Sequence, residues 1–236
     1  MHPLPPVILL DLDDTILRFS AVADECWSHA CATFVPRLQG VDPAVLMASI
    51  KQHAQWYWSD AERSRRGRLD LVTARRLIVR GAVSDFQAGA DQIADALADA
   101  YGVMRDELVQ PFPGAIETLD ELHRRGVHMA LVTNGAAADQ RRKVERFHLQ
   151  PFFEAIFIEG ELGYGKPDLR VFRLALERLG TTPADAWMIG NDLELDIAPA
   201  ATLEIAAIWV DHTGGGLPPA SPVWPTRTVT ALAEIL

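Results

Sequence analysis

The sequence predicts an α/β fold: a Rossmann-like, doubly wound parallel sheet with an α-helical insertion after its first strand. Two observations support this prediction. Short, wholly apolar runs alternate with helical segments over the second half of the chain, which is the pattern of βαβ units. Between the first apolar run and that half, the chain is helical in character and contains no convincing strand. We therefore expect a core formed by residues 1–17 and 113–236, and a helical domain at 18–112.

The first predicted strand, 7–10, is an unbroken apolar run, typical of a strand buried on both faces of a parallel sheet. The other predicted strands share this character and lie at 129–132, 155–158, 186–189 and 205–210. Helices are predicted at 115–125, 137–148 and 169–179, and the last of them is amphipathic. A polar loop is expected from Gly190 to Asp196.

The composition limits the function classes. The chain has 236 residues, 49% of them hydrophobic, and a net charge of −10. That charge argues against nucleic-acid binding, because phosphate backbones require clustered cations. No run of about 18 apolar residues is present, so no membrane span is expected, and a cytoplasmic location is the default. Cys26 and Cys31 are expected to be small buried hydrophobes, since their spacing suits neither a disulfide nor a metal pair.

Polar side chains follow the predicted strands at the sheet edge where open parallel sheets bind ligands. These residues are Asp11, Asp13, Asp14 and Thr15; Thr133 and Asn134; Lys166; and Asn191, Asp192 and Asp196. If the chain stays extended, Asp11 and Asp13 point to the same side and repel one another, which a divalent cation would relieve. One could then act as nucleophile and the other as general acid and base. The alternative is that acids here only cap a following helix, as Asp14 or Thr15 could do.

Four segments together resemble the motifs of the haloacid dehalogenase (HAD) superfamily. Residues 11–15, Asp-Leu-Asp-Asp-Thr, resemble its Asp-x-Asp-x-Thr motif in the phosphatase branch. Residues 133–135, 165–168 and 190–196 resemble the second, third and fourth motifs, in the family's order over nearly the whole chain. The helical insertion occupies the position of the family's cap domain. Dehalogenases of the superfamily lack an acid at the position of Asp13, so the resemblance favours the phosphatases.

The resemblance implies a role for each matching residue. Asp11 would attack phosphorus and carry an aspartyl-phosphate, and Asp13 would protonate the leaving alcohol and later activate water. Thr133 and Asn134 would bind the phosphoryl oxygens, and Lys166 would neutralise their charge. Mg²⁺ would be held by the Asp11 carboxylate, the Asp13 backbone carbonyl and an acid of the fourth motif, with water completing an all-oxygen shell.

The fourth motif departs from the family pattern. The family usually places Asp directly after the glycine, whereas Asn191 follows Gly190 here. One alignment makes Asn191 the metal ligand, and the other makes Asp192 the ligand. Asp196 supports the site in either case. We favour Asp192 at this stage because a carboxylate holds Mg²⁺ better than an amide.

The resulting hypothesis is a Mg²⁺-dependent phosphatase of a small phosphorylated metabolite, acting as a monomer or homodimer with no membrane or nucleic-acid partner. Two alternatives remain: a phosphoryl-transferring mutase, similar to phosphoglucomutase, on the same scaffold, or a catalytically silent HAD-like binding protein. Two further groups are interpreted as structural. The run Trp56-Tyr57-Trp58 is expected to pack inward beside a solvated basic loop at 63–68. The basic residues of the 137–148 helix, expected to form a solvated face, are Arg141, Arg142, Lys143 and Arg146.

Overall fold

The computed structural model describes residues 4–38 and 40–236, which form two compact units. Gln110–Leu236, together with the chain up to Arg18, forms the first, called here the sheet unit. Phe19–Val109 forms the second, called the helical unit. The helical unit therefore spans residues 19–109, whereas the sequence predicted a helical domain at 18–112. Within the described residues, no helix is both long and apolar enough to cross a membrane.

The sheet unit is built on six parallel strands in the order β3-β2-β1-β4-β5-β6. The strands are β1 Val7–Leu10, β2 His128–Thr133, β3 Ala155–Ile158, β4 Ala186–Gly190, β5 Ala206–Val210 and β6 Arg227–Val229. In the central strand, Leu10 lies opposite Leu131 on one side and Ile189 on the other. The strand order reverses between β1 and β4, which opens a ligand crevice beyond the carboxyl ends of the strands. The predicted α/β fold with a parallel sheet is confirmed.

The helical unit contains no strand among its described residues. Its helices are α1 Ala23–Phe34, α2 Pro43–Trp58, α3 Ala61–Leu69, α4 Leu71–Ser84 and α5 Asp91–Leu108. Asp42, Asp60 and Asp70 precede α2, α3 and α4, and each accepts a hydrogen bond from a backbone amide of the first turn. Cys26 and Cys31 are free and buried on α1, as the sequence predicts.

The aromatic run at the end of α2 does not pack inward as a whole. Tyr57 is 8% exposed, but Trp56 and Trp58 are 60% and 37% exposed, so the prediction is wrong for both tryptophans. Successive helical positions are about 100° apart, and three in a row cannot share one buried face. The Arg63 guanidinium lies 4.2 Å from the centre of the Trp56 ring and donates to the carbonyls of Trp56 and Tyr57.

Helices join the strands of the sheet unit. They are α6 Ala115–Arg124, α7 Ala137–Arg146, α8 Glu159–Leu162, α9 Leu169–Arg178 and α10 Ala198–Thr202. The short α8 lies between the predicted strand at 155–158 and the third motif, where no helix was predicted. The polar loop expected from Gly190 to Asp196 instead contains a π-helix at Leu193–Ile197.

The core of the sheet unit fixes the strands on which the site is built. On α9, Phe172 and Ala175 are fully buried and belong to the same apolar cluster as Leu9 and Ala130 of the sheet. Burying a side chain of phenylalanine size contributes about 1.5–3 kcal/mol. The strand ends therefore have little freedom to move relative to one another.

Candidate active site

The chain turns sharply directly after β1. The Asp11 amide still donates to a β4 carbonyl, at 3.0 Å, and so continues the sheet by one residue. The Leu12 carbonyl then accepts from the amides of both Ile16 and Leu17, each at 2.9 Å, while the Leu12 side chain is fully buried. The next helix, α1, begins only at Ala23. The alternative in which this acidic segment caps a following helix is therefore wrong.

Three charged side chains meet at the carboxyl end of β1. Lys166 Nζ lies 2.6 Å from Asp11 Oδ1 and 2.6 Å from Asp196 Oδ1. The three side chains are only 3%, 8% and 1% exposed, respectively. We call Asp11, Lys166 and Asp196 the buried triad. It holds two carboxylates and one ammonium, so it has an excess of one negative charge when all three groups are ionised.

Burial and the neighbouring charges shift the pKa values of all three groups. Burial raises the pKa of Asp11 to about 7, against the opposing effect of Lys166 and with a further contribution from Asp196. Burial likewise raises the pKa of Asp196. Although burial disfavours the ammonium, the two carboxylates raise the pKa of Lys166 above its ordinary value. The triad therefore favours binding of one more positive charge, either a proton or a metal ion.

The Thr15 hydroxyl contacts oxygens of two other site residues. It donates to Asp11 Oδ2 at 2.9 Å and lies 3.4 Å from Asn191 Oδ1. The Asn191 backbone is fixed because its carbonyl accepts from Trp209 Nε1 at 2.8 Å. Asp11 Oδ2 and the Asn191 side-chain oxygen thus share the Thr15 hydroxyl as a neighbour.

Asp192 has a different task. Its Oδ1 accepts from the amides of Glu194 and Leu195, at 2.8 and 2.9 Å, and so caps the π-helix. The Asp192 amide donates to Asp196 Oδ2 at 3.0 Å. This placement does not support our preference for Asp192 as the metal ligand and favours Asn191, the alternative that the sequence left open.

The third motif is tied to the second through Asn134. Its Nδ2 donates to the Lys166 carbonyl at 2.7 Å, and its Oδ1 accepts from the Lys166 amide at 2.8 Å. Both polar atoms of the Asn134 side-chain amide thus hold the Lys166 backbone, and the phosphate contact expected of Asn134 stays a prediction. A Cβ on Gly165 would collide with Asn134 Oδ1, and one on Gly190 would collide with Asp196 Oδ2. Glycine is therefore required in both motifs by the close approach of a side chain.

Thr133 and Asp13 are joined by residues that sequence reasoning missed. Gln140 Nε2 lies 2.6 Å from Thr133 Oγ1, 3.0 Å from Asp13 Oδ2 and 2.9 Å from the Asn134 carbonyl. Lys143 Nζ lies 2.8 and 2.7 Å from the two carboxylate oxygens of Asp13. The prediction of a solvated face is wrong for Lys143, whose side chain is 12% exposed. Positions i and i+3 share a helix face, which is the signal that could have paired Gln140 with Lys143.

The donor atoms present suit a hard cation. In the described part of the chain, no three His, Cys, Asp or Glu side chains cluster as a metal site. The side-chain oxygens placed at this strand end are instead those of the Asp11 carboxylate and the Asn191 amide, and the family resemblance adds the Asp13 backbone carbonyl as an expected ligand. Magnesium prefers oxygen ligands, takes few from protein and keeps several waters. The residues therefore fit Mg²⁺, whereas they would not fit a metal that prefers nitrogen or sulfur.

Comparisons with known proteins agree with this geometry. The sequence model of the haloacid dehalogenase-like hydrolase family matches residues 5–203. A phosphoserine phosphatase of Thermus thermophilus is 32% identical over 92% of this chain and 91% of its own length. A glyceraldehyde 3-phosphate phosphatase of Methanocaldococcus jannaschii is 26% identical over 85% of this chain and 82% of its own.

The fold also matches solved structures. The HAD-hydrolase YfnB of Bacillus subtilis, in a crystal form bound to magnesium, aligns with a TM-score of 0.76 and 22% identity. The alignment covers 99% of this chain and 97% of that one. At this identity the likeness concerns the fold alone.

Proposed function

Because the chain belongs to the haloacid dehalogenase-like hydrolase family, we propose that it is a Mg²⁺-dependent phosphatase of small phosphomonoesters that works through an aspartyl-phosphate. The observation that carries this proposal is the buried triad with Asp13 two residues beyond its nucleophile candidate. The relatives named phosphoserine phosphatase and glyceraldehyde 3-phosphate phosphatase support a small phosphorylated metabolite as substrate. A cytoplasmic location and a monomeric or homodimeric state stay predictions.

The proposed reaction has two halves. In the first, a carboxylate oxygen of Asp11 bonds to phosphorus, the ester P–O bond breaks, and Asp13 gives a proton to the departing alcohol. In the second, Asp13 takes a proton from water, the water oxygen bonds to phosphorus, and the bond to Asp11 breaks to release phosphate. Lys166 offsets the negative charge on Asp11 and the phosphoryl oxygens, to which the Thr133 hydroxyl donates.

Three oxygens would hold the metal: Asp11 Oδ2, the Asp13 carbonyl and Asn191 Oδ1. When bound, Mg²⁺ supplies positive charge that offsets both the excess charge of the buried triad and the charge of the phosphoryl group. Two of these oxygens, Asp11 Oδ2 and Asn191 Oδ1, already lie 2.9 and 3.4 Å from the Thr15 hydroxyl. Their common neighbour supports this choice of ligands.

Metal removal tests the proposal. We expect the protein to release inorganic phosphate from members of a phosphomonoester panel that includes phosphoserine, glyceraldehyde 3-phosphate and 4-nitrophenyl phosphate. EDTA should abolish that release, and excess Mg²⁺ should restore it. Stoichiometric phosphate release also separates hydrolysis from a mutase, which returns the phosphoryl group to a sugar. A protein that releases no phosphate from any member with Mg²⁺ present would contradict the proposal.

Asn191→Asp tests the metal ligand. A carboxylate in place of the amide should strengthen Mg²⁺ binding, because affinity rises with the number of charged ligands. We expect the Mg²⁺ concentration for half-maximal activity to fall about tenfold, equivalent to about 1.4 kcal/mol. Asp192→Asn is the matched control and should leave that concentration unchanged, since asparagine caps helices as well as aspartate. Loss of Mg²⁺ affinity in Asp192→Asn would instead restore Asp192 as the ligand.

A further inference from the structure

The carboxylate of Asp13 is held by α7, although no motif assigns that helix a function. Lys143 contacts both carboxylate oxygens, and Gln140 contacts one of them and the Thr133 hydroxyl. We propose that Lys143 and Gln140 are positioning residues that fix the Asp13 carboxylate in the orientation needed for proton transfer. The inference rests on the proposed phosphatase chemistry, in which Asp13 is the acid and base.

The burial of this contact separates it from an ordinary surface ion pair. The side chains of Lys143 and Asp13 are 12% and 23% exposed. Arg141, on the same helix as Lys143, pairs with Glu161 of α8, and these two side chains are 44% and 34% exposed. Ordering a lysine side chain costs rotamer entropy, so a lysine fixed on both oxygens of one carboxylate points to a defined task.

Gln140 links the Asp13 carboxylate to the residue proposed to bind the phosphoryl group. Its side chain is 2% exposed, and its Nε2 lies within 3.0 Å of Asp13, Thr133 and the Asn134 carbonyl. One buried amide thus ties the proton donor to the hydroxyl proposed to bind the phosphoryl group. A general acid must lie within about 2.6–3.2 Å of the oxygen that it protonates, so this tie would set the distance between Asp13 and the leaving group.

The proposed role concerns the first half of the reaction. Fixing the carboxylate places Asp13 where it can reach the leaving oxygen. Removal of Lys143 therefore lowers the rate of that half for esters whose leaving group needs a proton.

The test is the leaving-group dependence of kcat/KM in Lys143→Met. The value of kcat/KM reports the steps up to departure of the leaving group. An alkyl alcohol needs a proton in order to leave, whereas 4-nitrophenolate leaves without one. We expect kcat/KM to fall about 10- to 100-fold for the alkyl phosphate that the wild type hydrolyses fastest, within the range of general acid catalysis. For 4-nitrophenyl phosphate the fall should be less than about threefold, and competitive inhibition by inorganic phosphate should be unchanged.

Matched variants complete the test. Arg141→Met removes a cation from the same helix without touching Asp13 and should leave both kcat/KM values unchanged. Lys143→Arg should recover part of the alkyl ester activity, because arginine can contact both oxygens of a carboxylate. Gln140→Leu should reproduce the leaving-group dependence, and it serves as the test if Lys143→Met does not fold.

Three results would overturn the inference: equal losses on both esters, no loss on either, or a gain on the alkyl ester. A wild-type protein inactive on every ester contradicts the proposed function instead, so the two failures are distinguishable.

Discussion

Asp11→Asn should abolish phosphate release and, at the same time, stabilise the metal-free protein at pH 8. Loss of the nucleophile removes the covalent route, which we expect to lower kcat roughly 10⁴- to 10⁶-fold. The stabilisation arises because the buried triad holds two carboxylates against one ammonium. An amide at position 11 still accepts the hydrogen bond from Lys166 but removes the excess negative charge.

The stabilisation depends on pH in a direction set by the raised pKa of Asp11, which burial moves from 3.8 to about 7. A carboxyl whose folded-state pKa is raised binds its proton more tightly in the folded protein. The stability from this proton is complete below the ordinary pKa and is lost as the pH rises towards 7. The thermal midpoint of Asp11→Asn should therefore exceed that of the wild type at pH 8 in EDTA, and the difference should shrink at pH 5.

Asp13→Asn is the control for this experiment. It should also impair turnover, but it removes a carboxylate that is paired with Lys143 and lies outside the buried triad. No stabilisation at pH 8 is expected from it, because the change leaves the ammonium without its carboxylate. If Asp11→Asn melted below the wild type at pH 8, the excess charge of the triad would not be a source of instability.

The strands that were predicted are those whose burial is visible in the sequence. All four residues of β1 are buried, and this produces the unbroken apolar run. The edge strand β6 was missed because only Val229 of its three residues is buried, so it has no apolar pattern. The π-helix at Leu193–Ile197 was missed for another reason: the polar sequence that precedes it suits a loop equally well, and the capping contact of Asp192 is visible only in three dimensions.

The candidate site, like the fold, was predicted only in part from the sequence. Parallel topology places the carboxyl ends of β1, β3 and β4 at the same edge of the sheet, and Asp11, Lys166 and Asp196 each follow one of these strands. Their gathering at one edge is therefore visible in the sequence. The role of Lys143 does not follow, because four basic residues of α7 look alike in the sequence. Only the docking of the helix shows that Lys143 faces Asp13 while Arg141 faces Glu161. The spacing of apolar residues thus predicts the fold, whereas the contacts of Asp13 depend on which face of α7 is turned towards it.

Lys166→Met should be the most destabilising substitution in the site. Methionine fills much of the lysine volume but leaves Asp11 and Asp196 buried without a cation. Removing one partner of a buried ion pair costs about 3–5 kcal/mol, because the remaining charge stays desolvated. We expect the free energy of unfolding at pH 8, measured by urea titration in EDTA, to fall by about this amount, and phosphate release to be lost.

The pH dependence of that loss tests its electrostatic origin. Burial already raises the pKa of both carboxyls, and without the ammonium they are protonated still more readily in the folded state. The variant should therefore regain stability relative to the wild type as the pH falls from 8 to 5, since protonation removes the unpaired charges. Adding Asp196→Asn to Lys166→Met should recover part of the loss at pH 8, and Arg141→Met, which breaks an exposed pair, should cost less than about 1 kcal/mol at either pH. A loss of equal size at pH 5 and pH 8 would mean that Lys166 stabilises the fold by packing, because a packing contribution does not depend on the ionisation of its neighbours.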